Sequence, residues 1–214
     1  MKASGWQVPL ISLRRSKGMT ATVSSESLGS GPDLTRGRRR LSRGWRRVLI
    51  TAAVLVVAFA GATAWLLVWP AQGMPARVSA IVMLAGPGNR LPVALQLAGE
   101  GRAPVLVVSQ GFEGYGSPCP PAPAGIKLVC FDPNPASTRG EAEFVGRLAK
   151  RYRWSSVVLV VSRPQATRAR ILMERCFSGP VYVSTAPLAL SNWPYQIAYG
   201  WGALAKALVN HRAC

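Results

Sequence analysis

A three-layer, Rossmann-like α/β domain with a mostly parallel sheet, preceded by one transmembrane helix, is the architecture that this sequence predicts. Three observations carry the prediction. Val48 to Trp69 runs for 22 residues without a charged side chain. From Ser79 onward, short apolar runs rich in Val alternate with helical stretches, the pattern of buried parallel strands joined by crossover helices. All four cysteines follow the apolar run, as expected where the downstream part enters an oxidising compartment.

The apolar run sets the topology. At about 1.5 Å per residue a helix over it reaches roughly 33 Å, enough for a hydrocarbon core of about 30 Å. Trp65 and Trp69 stand near its far end, where indoles favour the headgroup layer, and Pro70 provides a stop. Upstream, Arg36, Arg38, Arg39, Arg40, Arg43, Arg46 and Arg47 resist translocation. The N-terminus is therefore expected in the cytoplasm, and the C-terminal part on the other side of the cell membrane. A cleaved signal peptide is the competing reading, with Ala71-Gln72-Gly73 as small residues at a cleavage site. The length of the apolar run and its 47-residue leader disfavour it. Twin-arginine export through Arg46-Arg47 fits its surroundings poorly. The expected organisation is a disordered basic arm (1–47), the span (48–69), a Pro/Gly linker (70–77) and an extracytoplasmic domain (78–214). Met19 is an alternative start.

Charge excludes less than it first suggests. Lys and Arg total 26 against 8 Asp and Glu, a balance that invites a nucleic-acid reading. The excess divides evenly between residues 1–47 and 48–214, however, and neither part carries a basic repeat or a nucleic-acid module. Topology and the lipid bilayer account for the first half, and nucleic acid is not expected as a partner. Four cysteines, Cys119, Cys130, Cys176 and Cys214, allow three pairings. Cys119–Cys130 would close a short Pro-rich loop, and Cys176–Cys214 would tie down the C-terminal residue. A zinc site is disfavoured, because there is no CxxC pair and His211 is the only histidine. No metal is expected, and no pattern names a cofactor.

Taken in order, Ser79–Ala85 is a short strand, followed by a helix over Leu91–Gly99 and a strand over Pro104–Ser109. After a Gly/Pro/Cys loop come a strand at Lys127–Phe131 and a helix from Thr138 to Arg151. Thr138 and Glu141 stand at capping-box spacing. A strand at Ser156–Val161, a helix at Thr167–Cys176, a strand at Val181–Ser184 and a helix from Gln196 to Val209 complete the set.

Parallel sheets place ligands beyond the carboxyl ends of their strands. That edge should hold the Gly86-Pro87-Gly88-Asn89-Arg90 turn, Ser109 and Gly111, the segment from Asp132 to Glu141 with Arg139, and Ser162, Gln165 and Arg168. Glycines admit a close ligand, helix starts offer N–H groups, and Arg90, Arg139 and Arg168 can pair with an anion. Glu141 is the candidate catalytic carboxylate, as base or hydroxyl acceptor, with a capping role as its competing reading. The glycine turn departs from GxGxxG at Pro87 and Arg90, and no ribose-binding acid follows the second strand. Ser109 and Ser162 lack a histidine to activate them.

The segments AIVMLAGPGNR, APVLVVSQG, CFDPNPASTRGEAEFVGRLA and VVLVVSRPQATRARILMERCF, in this order, resemble the YdcF-like family (ElyC/SanA/YdcF envelope proteins) from about Val78 to Ser184. The resemblance implies a Rossmann-like domain, often behind an N-terminal anchor, in bacterial envelope or peptidoglycan precursor biology. Family positions match Gly86, Gly88 and Arg90, Ser109 and Gly111, Thr138, Glu141 and Ala142, and Ser162 and Arg168. Many relatives have a histidine where this chain has Gln165, and glutamine cannot shuttle a proton near neutral pH.

Two functions follow as expectations. One is a domain that binds a phosphate-bearing small molecule or lipid carrier, with hydrolase or transferase chemistry on envelope intermediates. The other is a non-catalytic scaffold or sensor for a partner protein, suggested by the missing histidine and the run SNWPYQIAYGW at 191–201.

Overall fold

The computed structural model describes residues 43–111, 118–210 and 214. The chain divides into two units, residues 1–42 and 43–214. The first unit, with most of the expected basic arm, lies outside the described residues, as does His211.

An α-helix, α1 (Arg43–Thr63), continues into a π-helical turn over Ala64–Val68. Together they form one helix long and apolar enough to cross a membrane. The Trp69 N–H reaches back to the Ala64 carbonyl at 2.7 Å, a five-residue closure that widens the last turn. The expected linker is not loose throughout, because Gly73 bridges Val183.

Beyond it lie β1 (Ala80–Met83), α2 (Arg90–Gly99), β2 (Val105–Ser109), β3 (Lys127–Phe131), α3 (Thr138–Tyr152), β4 (Val157–Ser162), α4 (Arg163–Cys176), β5 (Val181–Ala186) and α5 (Trp193–Asn210). The strands form one parallel sheet in the order β3-β2-β1-β4-β5. Alternating strand residues feed two cores. Ile81, Met83, Leu106, Val108, Val158 and Val160 pack under α2, with Ala94 and Ala98. Val82, Val107, Leu159 and Val183 face α3 and α4 on the other side, with Val145, Ala169 and Met173. Both faces are covered, so the strands read as continuous apolar runs. The order reverses between β1 and β4, which creates a switch point at that edge.

Two boundaries differ for local reasons. Helix α4 starts at Arg163, not Thr167, because Ser162 is extended and Pro164 is preset for a first helical turn. Helix α5 starts at Trp193, with Pro194 in its first turn. Both disulfides, Cys119–Cys130 and Cys176–Cys214, are present.

Helices α3 and α4 approach closely at Gly146. A Cβ there would stand 2.6 Å from the Cys176 carbonyl oxygen and 3.0 Å from the Cys176 Cβ. Glycine inside a helix normally costs up to about 1 kcal/mol relative to alanine. Here the clash wins, since overpacking costs about 1–3 kcal/mol. Gly146→Ala should therefore lower the unfolding temperature of the detergent-solubilised chain. Gly99→Ala, which meets nothing within 4 Å, should leave it unchanged or raise it.

Candidate functional site

Arg90 organises the carboxyl edge of the sheet. As the first residue of α2, it folds back under the glycine turn and is only 3% exposed. Its Nη1 donates to the Leu84 carbonyl at 2.7 Å. Its Nη2 lies within donating distance of the Pro87 carbonyl (2.8 Å), Gln165 Oε1 (2.7 Å) and Ser162 Oγ (3.2 Å). Burial lowers its pKa to about 10, opposed by the nearby Glu141 charge and reinforced by Arg168. Gly86, at φ +135°, makes room for this arrangement, because a Cβ there would sit 2.6 Å from Nη2. Gly88, at φ +108°, lets the turn pass the Pro187 carbonyl, which a Cβ would approach to 3.0 Å. The turn expected to hold an external anion thus encloses the protein's own cation. Arg90 is a positioning residue, with both terminal nitrogens committed.

Glu141 differs from its capping reading. The cap of α3 is Ser137, whose Oγ accepts from the Gly140 N–H at 3.2 Å, and Thr138 is already the first helical residue. Glu141 points inward instead, 1% exposed, and its Oε1 accepts from the Ala85 N–H at 2.6 Å. Desolvation raises its pKa to about 7, although the Ala85 N–H, Ser109, Arg90 and Arg168 all favour the charged form. The Ser109 hydroxyl lies close enough to act on the carboxylate but outside hydrogen-bond geometry, and its Oγ is buried without a partner among the described residues.

Above this layer opens a cleft of about 620 Å³. Gly86 and Pro87 after β1, Ser137 to Arg139 at the start of α3, and Pro164, Gln165 and Arg168 on α4 line one side. Helix α5 supplies the other with Tyr195, Gln196, Tyr199, Gly202 and Lys206. Three cations border the cleft. Arg139 Nε pairs with Glu143 at 2.7 Å, the Arg168 guanidinium lies 5.5 Å from the centre of the Tyr199 ring, and Lys206 is exposed. Gln165 is held from three sides. Its Oε1 accepts from Arg90, and its Nε2 donates to the Ala85 carbonyl (3.3 Å) and Thr138 Oγ1 (3.4 Å).

Of the residues expected at the site, Gly86, Arg139, Gln165 and Arg168 line the cleft. Arg90, Ser109, Glu141 and Ser162 are buried and do not line it, while Gly88 and Asn89 are exposed outside it. Gly111, at φ +76°, ends the described part of the β2 loop away from the lining. The α5 wall lies outside the loops that strand order alone brings to the carboxyl edge, and the uncharged aromatic run 191–201 is its signal in sequence. No group of His, Cys, Asp and Glu able to hold a metal occurs among the described residues. No family model matches the chain, and comparisons with curated proteins and with solved structures find no match.

The Glu141 carboxyl has a thermodynamic consequence. A folded-state pKa of about 7 against an ordinary value of 4.5 means that the folded chain holds this proton more tightly than the unfolded chain. The resulting stability is complete below the ordinary value and is lost as pH rises through the folded one. The loss is on the order of 3 kcal/mol at most. Glu141→Gln keeps an oxygen for the Ala85 N–H but cannot ionise. Its unfolding free energy should lose this decline between mildly acidic and neutral pH, as read by denaturant titration at each pH.

Proposed function

We propose that residues 70–214 form an extracytoplasmic domain, anchored in the cell membrane, that binds a phosphate-bearing ligand in the cleft between α4 and α5. One observation carries the reading: Arg139, Arg168 and Lys206 border a single cavity at the switch point of a parallel sheet, beside the starts of α3 and α4. Cations and helix starts favour anions, and switch points are where parallel sheets hold ligands. Tyr195 and Tyr199 supply flat apolar surface for the rest of the ligand. The arginine cluster before the span and the two disulfides beyond it support the extracytoplasmic orientation. The resemblance to the YdcF-like family supports a role in bacterial envelope or peptidoglycan precursor biology.

In a hydrolytic version of this function, Glu141 is a positioning residue, because it lies beneath the cleft without lining it and holds the Ala85 N–H. The competing reading is a non-catalytic scaffold or sensor that binds a partner protein. It is favoured by Gln165, whose amide is wholly engaged within the protein and carries no titratable proton.

The full-length chain in nanodiscs, titrated with pyrophosphate and with an alkyl phosphate, separates these readings. Binding should raise the unfolding temperature. Arg168→Ala combined with Lys206→Ala should weaken binding by about tenfold to a hundredfold, the worth of one or two hydrogen bonds to charged groups. Equal binding by wild type and variant would remove phosphate recognition from this cleft. Binding without phosphate release would favour the non-catalytic reading.

A further inference from the structure

The uncharged part of α1 that stands clear of the folded domain is short. Trp201 of α5 stacks on Phe59 with ring centroids 5.2 Å apart, and its Nε1 donates to Thr63 Oγ1 at 3.1 Å. One turn further on, the Leu66 carbonyl accepts from Thr167 Oγ1 at 2.5 Å. Leu67 is buried at 1% exposure against Gly200, where a Cβ would stand only 3.3 Å away. Contact with the domain therefore begins at Phe59. From Val48 to Ala58 there are 11 residues, or about 16 Å of helix. That is roughly half of a 30 Å hydrocarbon core. The other half of the span has α5 beside it.

Helix α5 is suited to that position. Cys176 to Ala205 contains no charged side chain and no histidine. Along α5, Pro194, Ala198, Trp201, Ala205, Leu208 and Val209 recur at three- and four-residue spacing, which puts them on one apolar stripe. All but Trp201 are exposed, and Trp201 is the residue that meets α1. This stripe is distinct from the adjacent one, Tyr195, Tyr199, Gly202 and Lys206, that lines the cleft. Tyrosine and tryptophan on such a helix favour the boundary between apolar chains and headgroups.

We infer that α5 is a second membrane-embedded element, seated in the leaflet nearer the folded domain with its Pro194–Val209 stripe against lipid. Its occupant is the bilayer itself. The inference rests on α1 crossing the membrane and is independent of which ligand the cleft takes. The domain is then sunk against the bilayer by its last helix, and the mouth of the cleft, with Arg168 and Lys206, opens at headgroup depth.

Depth measurements on the full-length chain in phosphatidylcholine–phosphatidylglycerol vesicles test this. Nitroxide labels attached through Ala198→Cys, Ala205→Cys, Val57→Cys and Glu100→Cys are compared by collision with oxygen and with a charged nickel chelate. Positions 198 and 205 should resemble position 57, with an oxygen-to-nickel ratio several-fold above that of position 100. Lipid exposure at 57 with water exposure at 198 and 205 would overturn the inference while leaving the anchor intact. Water exposure at all four positions would overturn the anchor as well. Because an added thiol can disturb the disulfides, the unmodified chain is also footprinted with a bilayer-partitioned carbene. Labelling of 193–209 comparable to that of 48–58 supports the seat, and labelling confined to α1 refutes it.

Discussion

The carboxyl edge of this domain depends on one buried cation. The Arg90 guanidinium gathers the Leu84 and Pro87 carbonyls, Ser162 and Gln165 around itself, and so ties β1, the glycine turn, β4 and α4 together. A charge placed so deep is costly unless its donors are met and a counter-charge lies nearby. Four acceptors meet the two terminal nitrogens, and Glu141 supplies the opposite charge without a direct hydrogen bond. Only Nε is left without a partner among the described residues. The glycines of the turn follow from this packing, because any side chain at Gly86 would compete with the guanidinium for the same space.

That constraint moves the ligand surface outward. The turn is filled from within, so the groups able to face a ligand come from the first turns of α3 and α4 and from α5. Glu141 and Gln165 stabilise this floor. The carboxylate grips the Ala85 N–H and the amide grips the Ala85 carbonyl, which fixes the backbone just after β1 at both of its polar groups. The floor is largely hydrogen-bonded within the protein, and the cleft's chemistry rests on the cations and rings above it.

The second coupling runs to the long apolar helix α1. A π-helical turn, closed by the Trp69–Ala64 hydrogen bond, carries Leu67 into the domain and exposes the Leu66 carbonyl to Thr167. Phe59, Thr63 and Trp201 add a stacked, hydrogen-bonded contact lower on the helix. Helix α1 is therefore packed into the same unit as the cleft wall, and α5 touches both.

The sequence by itself determined the long apolar helix, the alternation of strands and helices and the parallel sheet, and it left three pairings of the cysteines, of which the structure shows Cys119–Cys130 and Cys176–Cys214. Those features follow from local composition, such as the uncharged 48–69 run and the Val-rich strands, and from chain order. It also marked the carboxyl edge, because loops in a parallel sheet converge there whatever their details. Tertiary structure alone decided which way the side chains at that edge point. Arg90 turned inward because an interior carbonyl cluster and Glu141 lay within its reach. Glu141 left its capping role because Ser137 met the helix start and the Ala85 N–H needed an acceptor. The α5 wall came into the site through its packing on α4 and through Gly200 against Leu67 and Trp201 against Phe59, contacts between residues too far apart in the chain for any local pattern to encode.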